Sequence, residues 1–320
     1  MRFILNKDSL KDIPFKNKIY KNTISPGQWI EKWRNDRGYV LEFSKYKVKK
    51  SNTCILFIHG GGFDKNQPRD KDYQTLGYYL SYYTEFDTFL PDYTLAPDKK
   101  FPAQILEVIS IANKLSDIYE NIIIGGDSAG GTIAIQAAIL QPKLFYSGFL
   151  LSPWIDLDGK YTPSYYSRSW NPELKTGDPI FKLKPEENIK SSKKEALNYL
   201  GASKLFENPL ANPVLATPDM LKDLPPFLFF IGDEEVIRDG ILKIVGNAQT
   251  VNNNIFCYLY VGKWHDWLLY YQKNFKVKES HAFQILFNFC KSKVINKELN
   301  FSYIPKKNEN VIVANCNIVI

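Results

Sequence analysis

The sequence predicts an α/β protein, built on a mostly parallel sheet with helices on both faces. Three observations predict it. Strand-like and helix-like segments alternate from Tyr39 onward. Several strand-like segments are unbroken apolar runs, as expected of strands covered on both faces. The alternation breaks once, over 158–222, in a stretch rich in Pro, Tyr, Ser, Lys and Asn, and then resumes.

The elements follow in order. "YVLEFSKYKV" alternates apolar and polar residues and reads as an early strand, antiparallel at a sheet edge. "CILFIHG" (54–60) is a buried strand ending in glycines, "YQTLGYYLSYYTEF" has helical spacing and "DTFLPDY" is a short strand. "FPAQILEVISIANKLSDIY" is an amphipathic helix with Ile105, Val108, Ile109, Ala112 and Leu115 on one side. "NIIIGG" is a buried strand, "SAGGTIAIQAAIL" a helix and "YSGFLLSPW" a further strand. Within the irregular stretch, 193–200 reads as helical. Then come the strand "PFLFFIGDEE", a helix over 235–251, the strand "IFCYLYVG" and a last amphipathic helix over 279–291. The irregular stretch reads as an insertion over the C-terminal strand ends, where open α/β sheets bind ligands. The residues after Asn300 receive no assignment beyond an extra strand or a docked extension.

Composition narrows the function classes. The 320 residues are 44% apolar and 15% aromatic, enough for a large core. The net charge of +7 comes from scattered lysines without a basic stripe or a nucleic-acid-binding module, so no nucleic-acid partner is expected. No segment approaches the roughly 18 uncharged apolar residues of a membrane span. The first residues meet charge at Lys7 and Asp8, too early for a signal peptide. A cytoplasmic protein is the expectation, with peripheral membrane or lipid association left open. Cys54, Cys257, Cys290 and Cys316 form no CxxC pair and no metal spacing, and are expected as buried free thiols. Apolar edge strands are compatible with a homodimer.

Two glycine motifs carry the chemistry. Gly126-Asp127-Ser128-Ala129-Gly130 follows a buried strand and opens a helix, the context of a nucleophile elbow. Glycines on both sides relieve the clash of a tight turn and let the hydroxyl point outward. His59-Gly60-Gly61-Gly62-Phe63 also follows a buried strand. Its successive glycines let backbone N–H groups converge on a point. With the N–H of Ala129, those of Gly61 and Gly62 are candidates for an oxyanion hole. By chance an HGGG run would occur about 5 times in 10,000 chains of this composition.

A serine hydroxyl needs a base. Of the three histidines, His59 belongs to the glycine loop and His281 to the last helix. His265, in "VGKWHDWLLY" just after a strand, is the candidate base. The acid that orients it should lie between serine and histidine in the chain. "FFIGDEEVIRDG" offers Asp233, Glu234, Glu235 and Asp239, and spacing alone does not choose among them.

HGGGF at 59–63, "DYTLAPDKKFPAQ" at 92–104, "GDSAGG" at 126–131 and "SPWIDL" at 152–157 together resemble the hormone-sensitive lipase family of α/β-hydrolases. The family includes the bacterial family IV esterases and their fungal relatives. The match stretches from about 54 to 290 in the family's order. The resemblance implies the α/β-hydrolase fold with a helical cap. The cap would comprise 1–38, with Trp29 and Trp33, and 158–222, with Tyr161, Tyr165, Tyr166 and Trp170. The core would be 39–157 and 223–300, leaving 301–320 as an extension. The family's acid position falls on Glu235, where aspartate is commoner, a departure similar to fungal steryl acetyl hydrolase-like members. Asp98 departs from the family's usual glutamate. Some cap aromatics are expected to line an apolar pocket.

The resulting expectation is a serine carboxylic-ester hydrolase acting on a short-chain or lipophilic ester through Ser128, His265 and Glu235. The oxyanion would lie against Gly61, Gly62 and Ala129, with Asp127 as a buttress and no metal or cofactor. The rivals are an amidase or deformylase with the same nucleophile, a non-catalytic binding protein on the same fold, and a membrane-tethered lipid hydrolase.

Overall fold

A computed structural model describes residues 30–35, 38–43, 51–271, 280–292, 301–302 and 315–319. The strands are β1 (Ile30–Asn35), β2 (Gly38–Phe43), β3 (Thr53–Ile58), β4 (Asp87–Pro91), β5 (Asn121–Asp127), β6 (Ser147–Leu151), β7 (Phe227–Gly232), β8 (Ile255–Tyr260), β9 (Phe301–Ser302) and β10 (Asn315–Val319). The helices are α1 (Lys71–Thr84), α2 (Ala103–Ser116), α3 (Ser128–Leu140), α4 (Ser164–Ser167), α5 (Pro185–Leu200), α6 (Pro218–Leu221), α7 (Arg238–Gln249), α8 (Trp267–Tyr271) and α9 (His281–Ser292).

The strands form one sheet in the order β1-β2-β4-β3-β5-β6-β7-β8-β10-β9. The run from β4 to β10 is parallel, whereas β1 and β2 are antiparallel at one edge and β9 is antiparallel at the other. From β3 the chain steps outward to β4 and then crosses back to β5 on the other side. The loops after β3 and β5 therefore meet at the point where the winding reverses, the ligand crevice of open α/β sheets.

The apolar runs are explained by two cores. Cys54, Leu56 and Ile58 of β3 pack on one face with α2, α3 and α7. Ile55 and Phe57 pack on the other face with α1, α8 and α9. Phe227, Phe229 and Ile231 of β7 alternate with Leu228 and Phe230 in the same way.

The insertion folds as a helical layer above the C-terminal strand ends, with α5 as its main element. Helix α5 starts eight residues before the segment that periodicity marked. Pro185 in its first turn, Glu186 and Glu187 beside the N-terminus, and Gly201 at φ +79° after its end supply ordinary start and stop signals.

Two expectations change, and the open reading of the C-terminal extension is met by an extra strand. Residues 30–35, placed in the cap, pair antiparallel with β2 and extend the sheet; residues 1–29 lie outside the described residues. The C-terminal extension supplies β10, parallel to β8. That pairing sets Cys316 beside Cys257, with Cα atoms 4.6 Å apart, and the two form a disulfide. The lack of a CxxC pair or metal spacing leads the sequence reading to free thiols there; the two cysteines are 59 residues apart and sheet register brings them together. Cys54 and Cys290 are free and buried. The cytoplasmic expectation thereby loses the support of four reduced cysteines. No described helix is long and apolar enough to cross a membrane.

Thiol titration of the unfolded, unreduced protein should therefore count two groups, rising to four after reduction. Cys316→Ser should lower unfolding stability by up to about 4 kcal/mol, the loop-closure entropy of such a cross-link. Four thiols without reductant would show the pair to be open.

Candidate active site

Ser128 is the first residue of α3, directly after β5, with a left-handed backbone at φ +47°. The flanking glycines are sterically required. A Cβ on Gly126 would lie 2.6 Å from the Gly130 carbonyl oxygen, and one on Gly130 would collide with the carbonyls of Ile58 and His59. The elbow and the glycine loop thus touch backbone to backbone. Asp127 joins them: its carboxylate accepts the Gly60 N–H at 2.9 Å and the Tyr73 hydroxyl at 2.8 Å. Burial pushes its pKa up to about 7, against the pull of those two bonds.

Gly61 and Gly62, at φ +107° and +63°, line the cavity beside Ser128. The Gly60 N–H is already engaged by Asp127, which leaves the next two glycines as the loop's candidate donors. Ala129 is fully buried at the start of α3. Phe63 stacks on Tyr199 of α5 with ring centroids 3.9 Å apart, fastening the loop to the cap. His59 is stacked on Tyr93, and its Nδ1 lies 2.9 Å from the Gly60 carbonyl. Burial lowers its pKa to about 4, fitting a neutral anchor.

His265 lies in the loop after β8, and its Nε2 is 3.0 Å from Ser128 Oγ. On the far side of the ring, Nδ1 is 3.8 Å from Glu235 Oε2. Both of these atoms are buried and without a hydrogen-bond partner. At 3.8 Å they stand about 0.6 Å beyond the usual hydrogen-bond range, so a small approach would join them. The other carboxylate oxygen, Oε1, accepts the Ser152 hydroxyl at 2.5 Å and the Gly232 N–H at 2.6 Å.

The remaining acids of that turn point elsewhere. Asp233 accepts the Gly262 N–H at 2.5 Å, and Glu234 accepts the Gly177 N–H at 3.0 Å. Asp239 pairs with Arg238 at 2.8 Å and accepts the Ser164 N–H at 2.7 Å. His281 sits on α9 with its Nδ1 3.0 Å from the Tyr260 hydroxyl, apart from this group.

Sequence reasoning missed three residues. Ser152, at φ +45°, holds Glu235; its motif was read only as part of the resemblance. Asp178 of the insertion is fully buried and its Oδ2 accepts the N–H of both Val236 (3.2 Å) and His265 (3.3 Å). One cap carboxylate thus pins together the acid turn and the histidine loop. Asp266 follows His265 at φ +55°, and its Oδ2 is 3.2 Å from His265 Nε2. Apart from Asp266's adjacency to His265, no spacing marked these residues, since their partners are distant in sequence.

The group sits under a cavity of about 430 Å³. Its apolar lining includes Trp154, Phe181, Leu183, Ile237 and Leu269. Tyr161, Tyr165, Tyr166 and Trp170 do not line it. Tyr165 is buried in the core instead, and Tyr166 is exposed. Trp29 lies outside the described residues, and the Trp33 side chain is likewise not described. Polar Asn188, Ser192 and Glu195 of α5 complete the cap side.

Burial drives Glu235 and His265 toward their neutral forms. It lowers the His265 pKa to about 4, against the Asp178 charge. It raises that of Glu235 to about 8, against the Ser152 and Gly232 hydrogen bonds and the Arg238 charge. An orienting carboxylate works ionised and a base works neutral. A raised acid pKa means that activity climbs as pH rises through about 8, whereas the histidine limb falls well below 6.5. The pH profile of kcat/KM should show this alkaline limb, and Glu235→Gln should erase it; a single limb near 6.5 in both proteins would refute the assignment. Glu235→Gln should cost about 100-fold or more in kcat/KM, against little for Asp233→Asn, measured on one ester.

Comparisons with known proteins identify the fold and the family. A family described as alpha/beta hydrolase fold matches residues 55–269. An esterase from Acinetobacter venetianus is 27% identical over 232 residues, covering 70% of this chain and 71% of that protein. A kynurenine formamidase from Meyerozyma guilliermondii is 30% identical over 134 residues, covering 41% of this chain and 46% of that protein. Among solved structures, an esterase from the archaeon Pyrobaculum calidifontis superposes with a TM-score of 0.67 at 22% identity, covering 80% and 81% of the two chains. These relatives fit the resemblance to the hormone-sensitive lipase family drawn from the motifs. With two-thirds of its length matched and its strands in this order, the chain belongs to the α/β-hydrolase fold family.

Proposed function

We propose that this protein is a serine carboxylic-ester hydrolase that works through an acyl-enzyme on a short-chain or lipophilic ester. The observation that carries the reading is the 3.0 Å contact between Ser128 Oγ and His265 Nε2, with Glu235 behind the ring and a cavity in front. The similarity to a protein named as an esterase supports the same reading.

His265 Nε2 takes the Ser128 proton as Oγ attacks the ester carbonyl carbon. The carbonyl oxygen gains negative charge and is received by the N–H groups of Gly61, Gly62 and Ala129. One such donor is typically worth roughly 3–4 kcal/mol of barrier. Glu235 closes on Nδ1–H, fixes the tautomer and stabilises the imidazolium. His265 passes the proton to the leaving alcohol, and the Ser128 ester remains. Water enters by the same route, gives a proton to His265 and releases the acid and free serine.

A formamide or other amide substrate is a second reading, supported by the kynurenine formamidase match. The two differ in the leaving atom alone, so matched ester and amide substrates separate them.

Ser128→Ala should abolish hydrolysis of p-nitrophenyl butyrate while leaving the circular-dichroism spectrum unchanged. A fluorophosphonate probe should label wild type at Ser128 and leave the variant unlabelled. Unchanged turnover in the variant would remove Ser128 from the chemistry, and absence of labelling in wild type would favour a non-catalytic binding protein.

A further inference from the structure

The insertion grips the turn that carries the acid at several places. Ser164 Oγ donates to the Val236 carbonyl at 2.7 Å, Arg168 Nε to the Asp233 carbonyl at 2.9 Å, and the Gly177 N–H to Glu234 Oε2 at 3.0 Å. Asp178 adds the Val236 N–H, accepted by its Oδ2 at 3.2 Å.

Asp178 differs from the others in what else it holds. The same oxygen accepts the His265 N–H at 3.3 Å. One atom of the insertion therefore touches both the residue after the acid and the base itself. The two loops are also joined nearer the strands, by the Asp233 N–H on the Tyr260 carbonyl at 3.0 Å and the Glu234 N–H on the Lys263 carbonyl at 2.9 Å. Asp178 bonds further out, where Glu235 Oε2 and His265 Nδ1 face one another at 3.8 Å, each unpartnered.

The holder is itself fixed. Asp178 is fully buried, and its own N–H donates to the Arg168 carbonyl at 2.8 Å. A Cβ on the preceding Gly177 would strike the carbonyls of Arg168 and Ser169. Oδ1 accepts the Ile180 N–H at 3.1 Å, so backbone amides donate to both oxygens. A carboxylate can accept on both sides, whereas an asparagine would turn its NH₂ toward one of those amides. Burial raises the Asp178 pKa to about 6, against the His265 charge and the amide bonds, which leaves it largely ionised at neutral pH.

We propose that Asp178 is a positioning residue for the reaction: from the insertion it sets the separation of Glu235 and His265 and so brings the acid–base pair into contact. This rests on the serine-hydrolase reading above. Asp178 bonds the His265 backbone and not its ring, and it does not line the cavity. Its loss should therefore spare substrate binding and fall on kcat.

The test measures kcat and KM for p-nitrophenyl butyrate, per folded protein by circular dichroism. The proteins are wild type, Asp178→Ala, Asp178→Asn, Glu235→Gln and the two double variants. Asp178→Ala should lower kcat by about ten- to a hundredfold and leave KM within about twofold. Asp178→Asn keeps one oxygen for the Val236 and His265 amides and should recover part of the loss. In the Glu235→Gln background Asp178→Ala should cost less than about threefold, because the pair it positions is already broken. Losses that multiply in full in the double variant overturn the inference. So does an unchanged kcat in Asp178→Ala, or a rise in KM that accounts for its whole loss. If Asp178→Ala does not fold, the Asn variants are read by the same cycle, and failure of both to fold would make Asp178 a scaffold residue and overturn the inference. No turnover by wild type would instead remove the hydrolase reading, and this inference with it.

Discussion

Backbone contact between two loops underlies the whole site. The loop after β3 lies so close to the turn after β5 that a methyl group on Gly130 would strike the carbonyls of Ile58 and His59. That proximity lets Asp127 reach the Gly60 N–H, sets Gly61 and Gly62 beside Ser128, and holds the serine in its left-handed conformation. Such a conformation is strained for a non-glycine residue and persists where surrounding contacts over-determine it. Here strand pairing between β3 and β5, which aligns Ile58 with Gly126, provides those contacts.

The second condition is dryness. Glu235 is fully buried and His265 is 5% exposed, so neither can be solvated in its charged form. The protein supplies hydrogen bonds where water would have been: Ser152 and Gly232 on Glu235, and Asp178 on the His265 and Val236 amides. In this setting the proton transfer proposed from Ser128 to His265 would create a pair of charges whose attraction is far stronger than in water. The cap contributes through the Phe181 edge against the imidazole, with centroids 5.6 Å apart, and through the Phe63–Tyr199 stack. It therefore acts as a structural part of the site as well as its cover.

The cavity has a mixed character. Trp154, Phe181 and Leu269 offer apolar surface, while Asn188, Ser192, Glu195 and Asp266 place polar atoms on its walls. Lys65 of the glycine-loop segment pairs with Glu195 of α5 at 2.7 Å, so polar contacts also tie cap to core at the cavity rim. Such a lining combines apolar surface with a few polar groups, as ligand sites commonly do.

What the sequence determined by itself was local. Apolar runs at 54–58, 121–126 and 227–231 marked the doubly covered strands, and two glycine motifs placed Ser128 and the loop over it, because steric rules at tight turns act on adjacent residues. With three histidines, position after a strand was enough to single out His265. What only the tertiary structure decided was every pairing between distant segments. Four acids lay within seven residues at 233–239, and only the turn's geometry aims Glu235 at the imidazole while the others bind backbone amides. Ser152 and Asp178 meet that turn from 83 and 58 residues away. Cys257 meets Cys316 through the register of a strand that carried no marked periodicity. Hydrogen bonds and cross-links of this kind depend on where the chain returns in space, and neither composition nor spacing encodes that legibly.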